Sequence, residues 1–175
     1  MREKILYPFR LNTSADWTAF SNDTTNLAYT NLHISKVGGL TFDKANGTGD
    51  LKYAGIYRSD LALDLTSEPR DLCPEDRIGV CFYVGALTNI ASLHIRLGTS
   101  ASHYCQWAIA DTVMTASTFQ VHTAKLGACT VTGSGWNPAS ISYAALLINF
   151  DAETNALAGN IIDSVWFQKN TPTVA

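Results

Sequence analysis

The chain is poor in charge. Asp, Glu, Lys and Arg make up only 15% of its 175 residues, against about 25% in an average soluble domain, and 12 basic against 15 acidic residues leave a formal net charge of −3. No basic stripe is present to supply the counterion release on which nucleic-acid binding rests, so nucleic acid is excluded as a partner. The usual residues of exposed helix faces are scarce too. Four Glu and six Lys stand against 19 Thr and 18 aromatic residues, which disfavours a coiled coil and points to sheet. Long apolar runs are missing. The most apolar stretch, Ile141 to Phe150, is far short of the roughly 20 residues of a spanning helix, and no membrane association is expected. The N-terminal MREKILYPFRLNTSADW, interrupted by Pro8 and Arg10, lacks the apolar core of a secretion signal.

Metal-binding spacing is absent as well. Cys73, Cys81, Cys105 and Cys129 form no C-x-x-C pair and have no histidine in zinc-knuckle spacing, so no metal is assigned to them. Cys81 and Cys105 lie in apolar strand-like runs and read as small buried hydrophobes; a Cys73 to Cys81 disulfide is the lesser alternative, and without a secretion signal the thiols are expected reduced. Sequons at Asn12, Asn22 and Asn46 are what chance supplies in a chain this rich in Asn, Ser and Thr.

What is there is 46% hydrophobic residues in short alternating runs, enough to build one core in a chain of this length. Ser59 to Thr66 alternates Leu61, Leu63 and Leu65 with Asp60, Ala62 and Asp64, the period of a half-buried strand. Arg77 to Gly85 and Ile141 to Phe150 are apolar on both faces and are expected to be central strands. Leu93, Ile95 and Leu97 alternate with polar residues, Gly98 to Ser102 reads as a turn, and His103 to Ala110 completes a hairpin. Thr118 to Thr123 reads as a strand with Phe119 and Val121 inward, and Ile161 to Gln168 as the closing strand. Ile5 to Leu11, Leu27 to Ile34, Leu40 to Asp43 and Tyr53 to Arg58 are the earlier strands. Turns fall at Ser67 to Arg70, Cys73 to Asp76, Gly38-Gly39, Asn46 to Gly49 and Asp151 to Asn160. Roughly nine to eleven short strands without a convincing helix describe a single all-β domain, a β-sandwich of jelly-roll-like type. Within residues 1–175, 1–39 are read as an N-terminal arm with the first strands, 40–168 as the sandwich core and 169–175 as a polar tail.

No set of residues announces catalysis. His33, His94, His103 and His122 each lie in a strand pattern, with His94 and His122 opposite their apolar neighbours, and read as surface residues. Ser134 in Gly133-Ser134-Gly135 departs from the nucleophile-elbow spacing. Asp151, Glu153 and Asp163 could supply a carboxylate pair, but two of them fall in a turn where acidic residues serve the backbone. The protein is therefore read as a non-enzyme with no cofactor. Asp43, Asp50, Asp60, Asp64 and Asp163 are available to calcium, yet no D-x-[DN]-x-[DN]-G run exists, and Asp60 and Asp64 read as the wet side of the Leu61 strand. Trp17, Tyr57, Trp107, Trp136 and Trp166 are the candidates for sugar stacking. Trp107 and Trp166 are assigned to the core, and Trp136 beside Asn137 is the favoured exposed platform.

The order of segments carries a resemblance. DLALDL at Asp60 to Leu65, RIGVCFYV at Arg77 to Val84, NIASLHIRLGTSASHYCQW at Asn89 to Trp107, then GWN, ISYAALLINF and IIDSVWF resemble the β-sandwich domain of tailed-bacteriophage virion proteins over about Leu40 to Phe167. Arg96, Leu97, Gly98, Ser102, Tyr104, Trp107, Trp136, Asn137, Ile162, Asp163 and Val165 are the matching positions. The resemblance implies a structural protein, a capsid decoration or cement protein or a tail accessory, assembled in the bacterial cytoplasm and bound to other capsid or tail proteins. By the same analogy it implies a homo-oligomer, a trimer being favoured. The alternative is a carbohydrate-binding, receptor-recognising sandwich with a glycan as its partner.

Overall fold

The computed structural model describes residues 5–6, 11, 13–21, 23–32, 34, 38–47, 52–66, 72–152 and 154–169. The sequons at Asn12 and Asn22, His33, Asp50, Glu153, the Ser67 to Arg70 turn and most of the polar tail lie outside the described residues. Twelve strands are described: β1 (Ile5–Leu6), β2 (Thr18–Ala19), β3 (Thr24–Thr30), β4 (Gly39–Lys44), β5 (Tyr53–Arg58), β6 (Arg77–Tyr83), β7 (Ile90–Ser100), β8 (His103–Ala110), β9 (Gln120–Lys125), β10 (Thr130–Thr132), β11 (Tyr143–Phe150) and β12 (Leu157–Gln168). They form two antiparallel sheets. The first runs β3-β4-β12-β6-β9, with β1 added to β12, and the second runs β10-β8-β7-β11-β5-β2. The protein is thus an all-β sandwich of jelly-roll-like form, as the turn spacing and alternation indicated.

The core lies between the sheets. Leu40, Phe42, Ile78, Val80, Phe82, Ile162, Val165 and Phe167 face it from the first sheet, and Ala54, Ile56, Leu93, Ile95, Leu97, Trp107, Leu146, Ile148 and Phe150 from the second. Strands β6 and β11 are interior in their sheets, as their two apolar faces require. The parity of β12 changes along its length: Ile162 opposes Phe82 and Val165 opposes Val80, with a register shift between Ile162 and Ser164. That bulge lets Ile162, Val165 and Phe167 share one face although their spacing is odd, then even. Gly79 is the other fitted position, because any Cβ there would overlap the Trp166 indole lying across it.

Three expectations are corrected. Ser59 to Thr66 is not a ladder strand: it holds one isolated bridge, Leu63 to Ile141, with Leu61 N and Leu65 N donating to Ser142 O and Pro138 O. Its alternation is real, since Leu63 and Leu65 are buried, but the segment joins neither sheet. In β9 the phase is reversed. Val80 pairs with His122 and Cys81 with Val121, so His122 and Ala124 turn toward the core while Val121 stands 55% exposed. Phe119 precedes the strand and packs on Tyr83 outside the first sheet, their ring centroids 5.5 Å apart. Finally, Trp166 is half-buried on that outer surface, whereas Trp107 is a core residue whose Nε1 donates to Lys125 O and Leu126 O at 3.0 and 3.2 Å.

Candidate functional site

The second sheet carries a distinct population on its outer side. Cross-strand pairing places Tyr143, Ala145, Leu147 and Asn149 of β11 opposite Gly98, Arg96, His94 and Ser92 of β7, and these in turn opposite Tyr104, Gln106, Ala108 and Ala110 of β8. Tyr53, Gly55 and Tyr57 join from β5, and Phe20 follows β2. Tyr143, Ala145 and Leu147 are buried there beneath Phe20, Tyr53, Tyr57 and Tyr104, forming a second apolar cluster separate from the main core.

Large rings and very small residues alternate across this face, and the result is relief. An open depression of about 560 Å³ is lined by Ala19, Phe20, Ser21, Thr24, Tyr57, Ala101 and Tyr143. Gly98 and Gly55 cannot be enlarged: a Cβ at Gly98 would overlap His103 O, and one at Gly55, whose φ is +155°, would overlap Leu146 O. Phe20 meets Tyr53 and Tyr57 edge-on at 6.2 Å each, and Tyr143 lies 6.3 Å from both Tyr57 and Tyr104. Such rings offer flat, weakly hydrated surface with a hydroxyl at the tip, suited to a partner that is apolar on one side and polar at its rim.

Arg96 stands among them. Its guanidinium is 4.8 Å from the Tyr104 ring centroid, 4.9 Å from Tyr53 and 5.7 Å from Phe20, and its Nε donates to Gln106 Oε1 at 2.7 Å. The residue is 8% exposed. Among the described residues no carboxylate lies within 4.0 Å of it; the ion pairs found are Lys44–Asp23, Arg58–Asp16, Arg58–Asp60 and Lys125–Glu75. The rings therefore hold the cation through their π faces, not through a counter-charge.

His94 corrects the surface reading of that histidine. It is 6% exposed, 5.5 Å from Tyr53, with Nε2 2.8 Å from Ser92 Oγ, while Nδ1 is buried with no hydrogen-bond partner. Burial, and then the Arg96 charge, push its pKa down to about 4, so it is neutral at pH 7. The alternation did put His94 opposite Leu93 and Ile95; what it could not show was that the opposite face is also covered. His122 is half-buried against Phe82 at 5.7 Å, and burial lowers its pKa.

The other sequence candidates scatter. Tyr57 alone of the five stacking candidates lies on the aromatic face. Trp17 is buried near Arg58. Trp136 is half-buried, edge-on to Trp107 at 5.4 Å, and lines a separate apolar pocket of about 200 Å³ with Leu65, Cys73, Leu126, Cys129 and Pro138. Asn137 is exposed, its Oδ1 accepting from Ala139 N at 3.0 Å as a turn cap. Ser134 and His103 do meet, but both Ser134 N and Oγ lie 3.0 Å from the same His103 Nδ1, which fastens the turn. Of the aspartates, Asp43 accepts from Gly159 N and Asn26 Nδ2, Asp60 pairs with Arg58, and Asp64 accepts from Thr66. Asp163 is fully buried and accepts from Ile34 N at 3.1 Å. No cluster of three metal-ligating side chains occurs among the described residues.

No protein-family model matches the chain, and no curated protein sequence matches it. Solved structures do. A family 11 carbohydrate-binding module from Clostridium thermocellum, in complex with a β-1,3-1,4-mixed-linked tetrasaccharide, is similar over 94% of both chains with a TM-score of 0.55 and 11% identity. A family 30 carbohydrate-binding module is similar over 94% of this chain and 95% of its own, with a TM-score of 0.56 and 10% identity. An exo-β-agarase matches 96% of this chain with a TM-score of 0.63 and 11% identity, but this chain spans only 25% of it, the same share as for an arabinose-bound α-L-arabinofuranosidase. These likenesses define the architecture as the jelly-roll-like β-sandwich found in carbohydrate-binding modules.

Proposed function

We propose that this protein is a non-enzymatic carbohydrate-binding module that holds a glycan on the outer face of the second sheet. The observation that carries the reading is the depression lined by Phe20, Tyr57 and the buried Tyr143, with small residues between the rings and Tyr53 and Tyr104 packed on the same aromatic cluster. A sugar ring has an axial C–H face that packs on an aromatic ring and an equatorial rim of hydroxyls that seek hydrogen bonds. Tyrosines meet both demands, and Gln106, Asn149 and Ser92 stand in the neighbouring ladder positions. Among the solved structures of the same architecture are two carbohydrate-binding modules similar over nearly their full length, one of them a complex with a tetrasaccharide. That likeness supports the sugar-binding reading in place of the virion protein-binding one. Tyr57→Ala removes one wall while leaving the main core untouched; affinity electrophoresis in polysaccharide gels should show retardation of the wild type and its loss in this variant. Trp136→Ala, remote from the face, should keep it. Retardation lost with Trp136→Ala and kept with Tyr57→Ala would move the site to the Trp136 pocket.

The phage setting drawn from the segment order is a second proposal about where such a module is carried. As part of a virion it would recognise a receptor glycan or seat the protein, as a trimer, on capsid or tail proteins. Co-sedimentation with purified particles and the sedimentation coefficient of the free protein bear on those two points.

A further inference from the structure

We infer that the aromatic face selects an anionic glycan, one carrying a carboxylate or a sulfate, and that Arg96 is the specificity-determining group. The inference rests on the sugar-binding reading above and names the substrate class of that same site. Its basis is the charge inventory of the face. Going across the ladder, the outward positions are Thr130, Gln106, Arg96, Ala145 and Tyr57 in one row, with Tyr104, Gly98 and Tyr143 on one side and Ala108, His94, Leu147 and Gly55 on the other. Arg96 is the one residue there that is ionised at neutral pH, because His94 is neutral, and no Asp or Glu occupies any of these positions.

Burying a guanidinium without a counter-charge is costly, and proteins normally answer it with a carboxylate. Here the answer is three aromatic rings, which stabilise a cation through their quadrupoles but neutralise none of its charge. The hydrogen-bonding polarity points the same way. Gln106 spends its carbonyl oxygen on Arg96 Nε, and the Tyr143 hydroxyl and His94 also interact with this pair, so the N–H groups of Arg96 and Gln106 not turned to those neighbours are donors. A neutral sugar presents donors and acceptors in similar number; a carboxylate or sulfate presents only acceptors, and a charge-assisted pair with Arg is about twice as strong as a neutral hydrogen bond. A second observation on the same face is the unsatisfied Nδ1 of His94, a buried polar atom that a bound polar group, or water held by one, would relieve. The net charge of the chain is negative, so general attraction to a polyanion does not explain such binding; a local cation does.

The test measures binding of the intact chain to polygalacturonate, to the same polymer after carboxyl reduction, to a sulfated galactan, and to a neutral mixed-linkage β-glucan. At least a tenfold preference for polygalacturonate over its carboxyl-reduced form, or for the sulfated galactan over the β-glucan, is expected, and which of the two holds identifies the anion. The preference should weaken as salt is raised and disappear in Tyr57→Ala. Arg96→Gln should lose the preference; because that residue is buried, Arg96→Lys, which keeps the charge but not the planar fork, is made beside it and should reduce the preference without abolishing it, and an unchanged preference in a folded Arg96→Gln would overturn the assignment. Equal or tighter binding of the neutral polymers, abolished by Tyr57→Ala, would overturn the anionic assignment and leave the sugar-binding reading standing. Polyanion binding indifferent to Tyr57→Ala would be ion exchange elsewhere and would also overturn it. Binding to none of the four would remove both.

Discussion

Acidification should weaken the fold through His94, and the size of the effect follows from its burial. The imidazole has its pKa pushed from 6.5 down to about 4 by desolvation and then by Arg96, so the folded protein resists a proton that the unfolded chain accepts. Because the folded-state pKa is the lower one, the stability is intact above about pH 6.5 and is lost as pH falls toward 4. Linkage for one such group gives a loss of roughly 1 kcal/mol by pH 5.5 and on the order of 2 kcal/mol by pH 4.5 relative to neutral pH. Other groups titrate in the same range, among them His122, whose pKa is also lowered by burial. The comparison is therefore between wild type and His94→Gln, a neutral side chain of similar volume, by urea unfolding at pH 7.5, 5.5 and 4.5. Relative to pH 7.5, the wild type should lose roughly 1 kcal/mol more than the variant by pH 5.5 and on the order of 2 kcal/mol more in total by pH 4.5. Equal pH slopes in the two proteins, or an imidazole titrating near 6.5 by NMR in the folded state, would refute the argument and return His94 to the surface.

Val80→Ala and Ile148→Ala, at fully enclosed positions on the two facing sheets, should each cost on the order of 1 to 4 kcal/mol in unfolding free energy, through lost burial and a residual cavity. Gly55→Ala should be worse than either in the same assay, since its Cβ would meet the Leu146 carbonyl in a backbone conformation that side chains rarely adopt; a loss under about 1 kcal/mol would show that β5 and β11 can part locally. Thiol titration of the folded protein at pH 8 should label exposed Cys73 at once and leave Cys81 unlabelled until unfolding, because burial pushes the Cys81 thiol up to about 12; rapid labelling of all four would contradict the packing around Asp163.

The alternation of Leu93, Ile95 and Leu97, the two-faced apolar runs of β6 and β11, and the Gly- and Ser-rich turns between them were enough to read a single-layer-on-layer β fold, because period-two burial is a local property of a strand. Where a strand is short and mixed the period fails: in β9, Val121 and His122 can exchange faces by a one-residue slip, and only pairing with Val80 and Cys81 selects the phase. Ser59 to Thr66 shows the converse, a true alternation whose backbone partners belong to a loop. The candidate site was least legible of all. Phe20, Tyr53, Tyr57, Arg96, Tyr104 and Tyr143 come from five segments up to 123 positions apart, and each taken alone reads as an ordinary strand residue. Cross-strand register brings them onto one face, and that register is set by the main core on the other side of the same sheet. Sequence decided which residues alternate and that two sheets would face each other; the tertiary pairing alone decided that a cation with no carboxylate beside it among the described residues would sit against two tyrosines and a phenylalanine, because that is a relation between strands and not within any one of them.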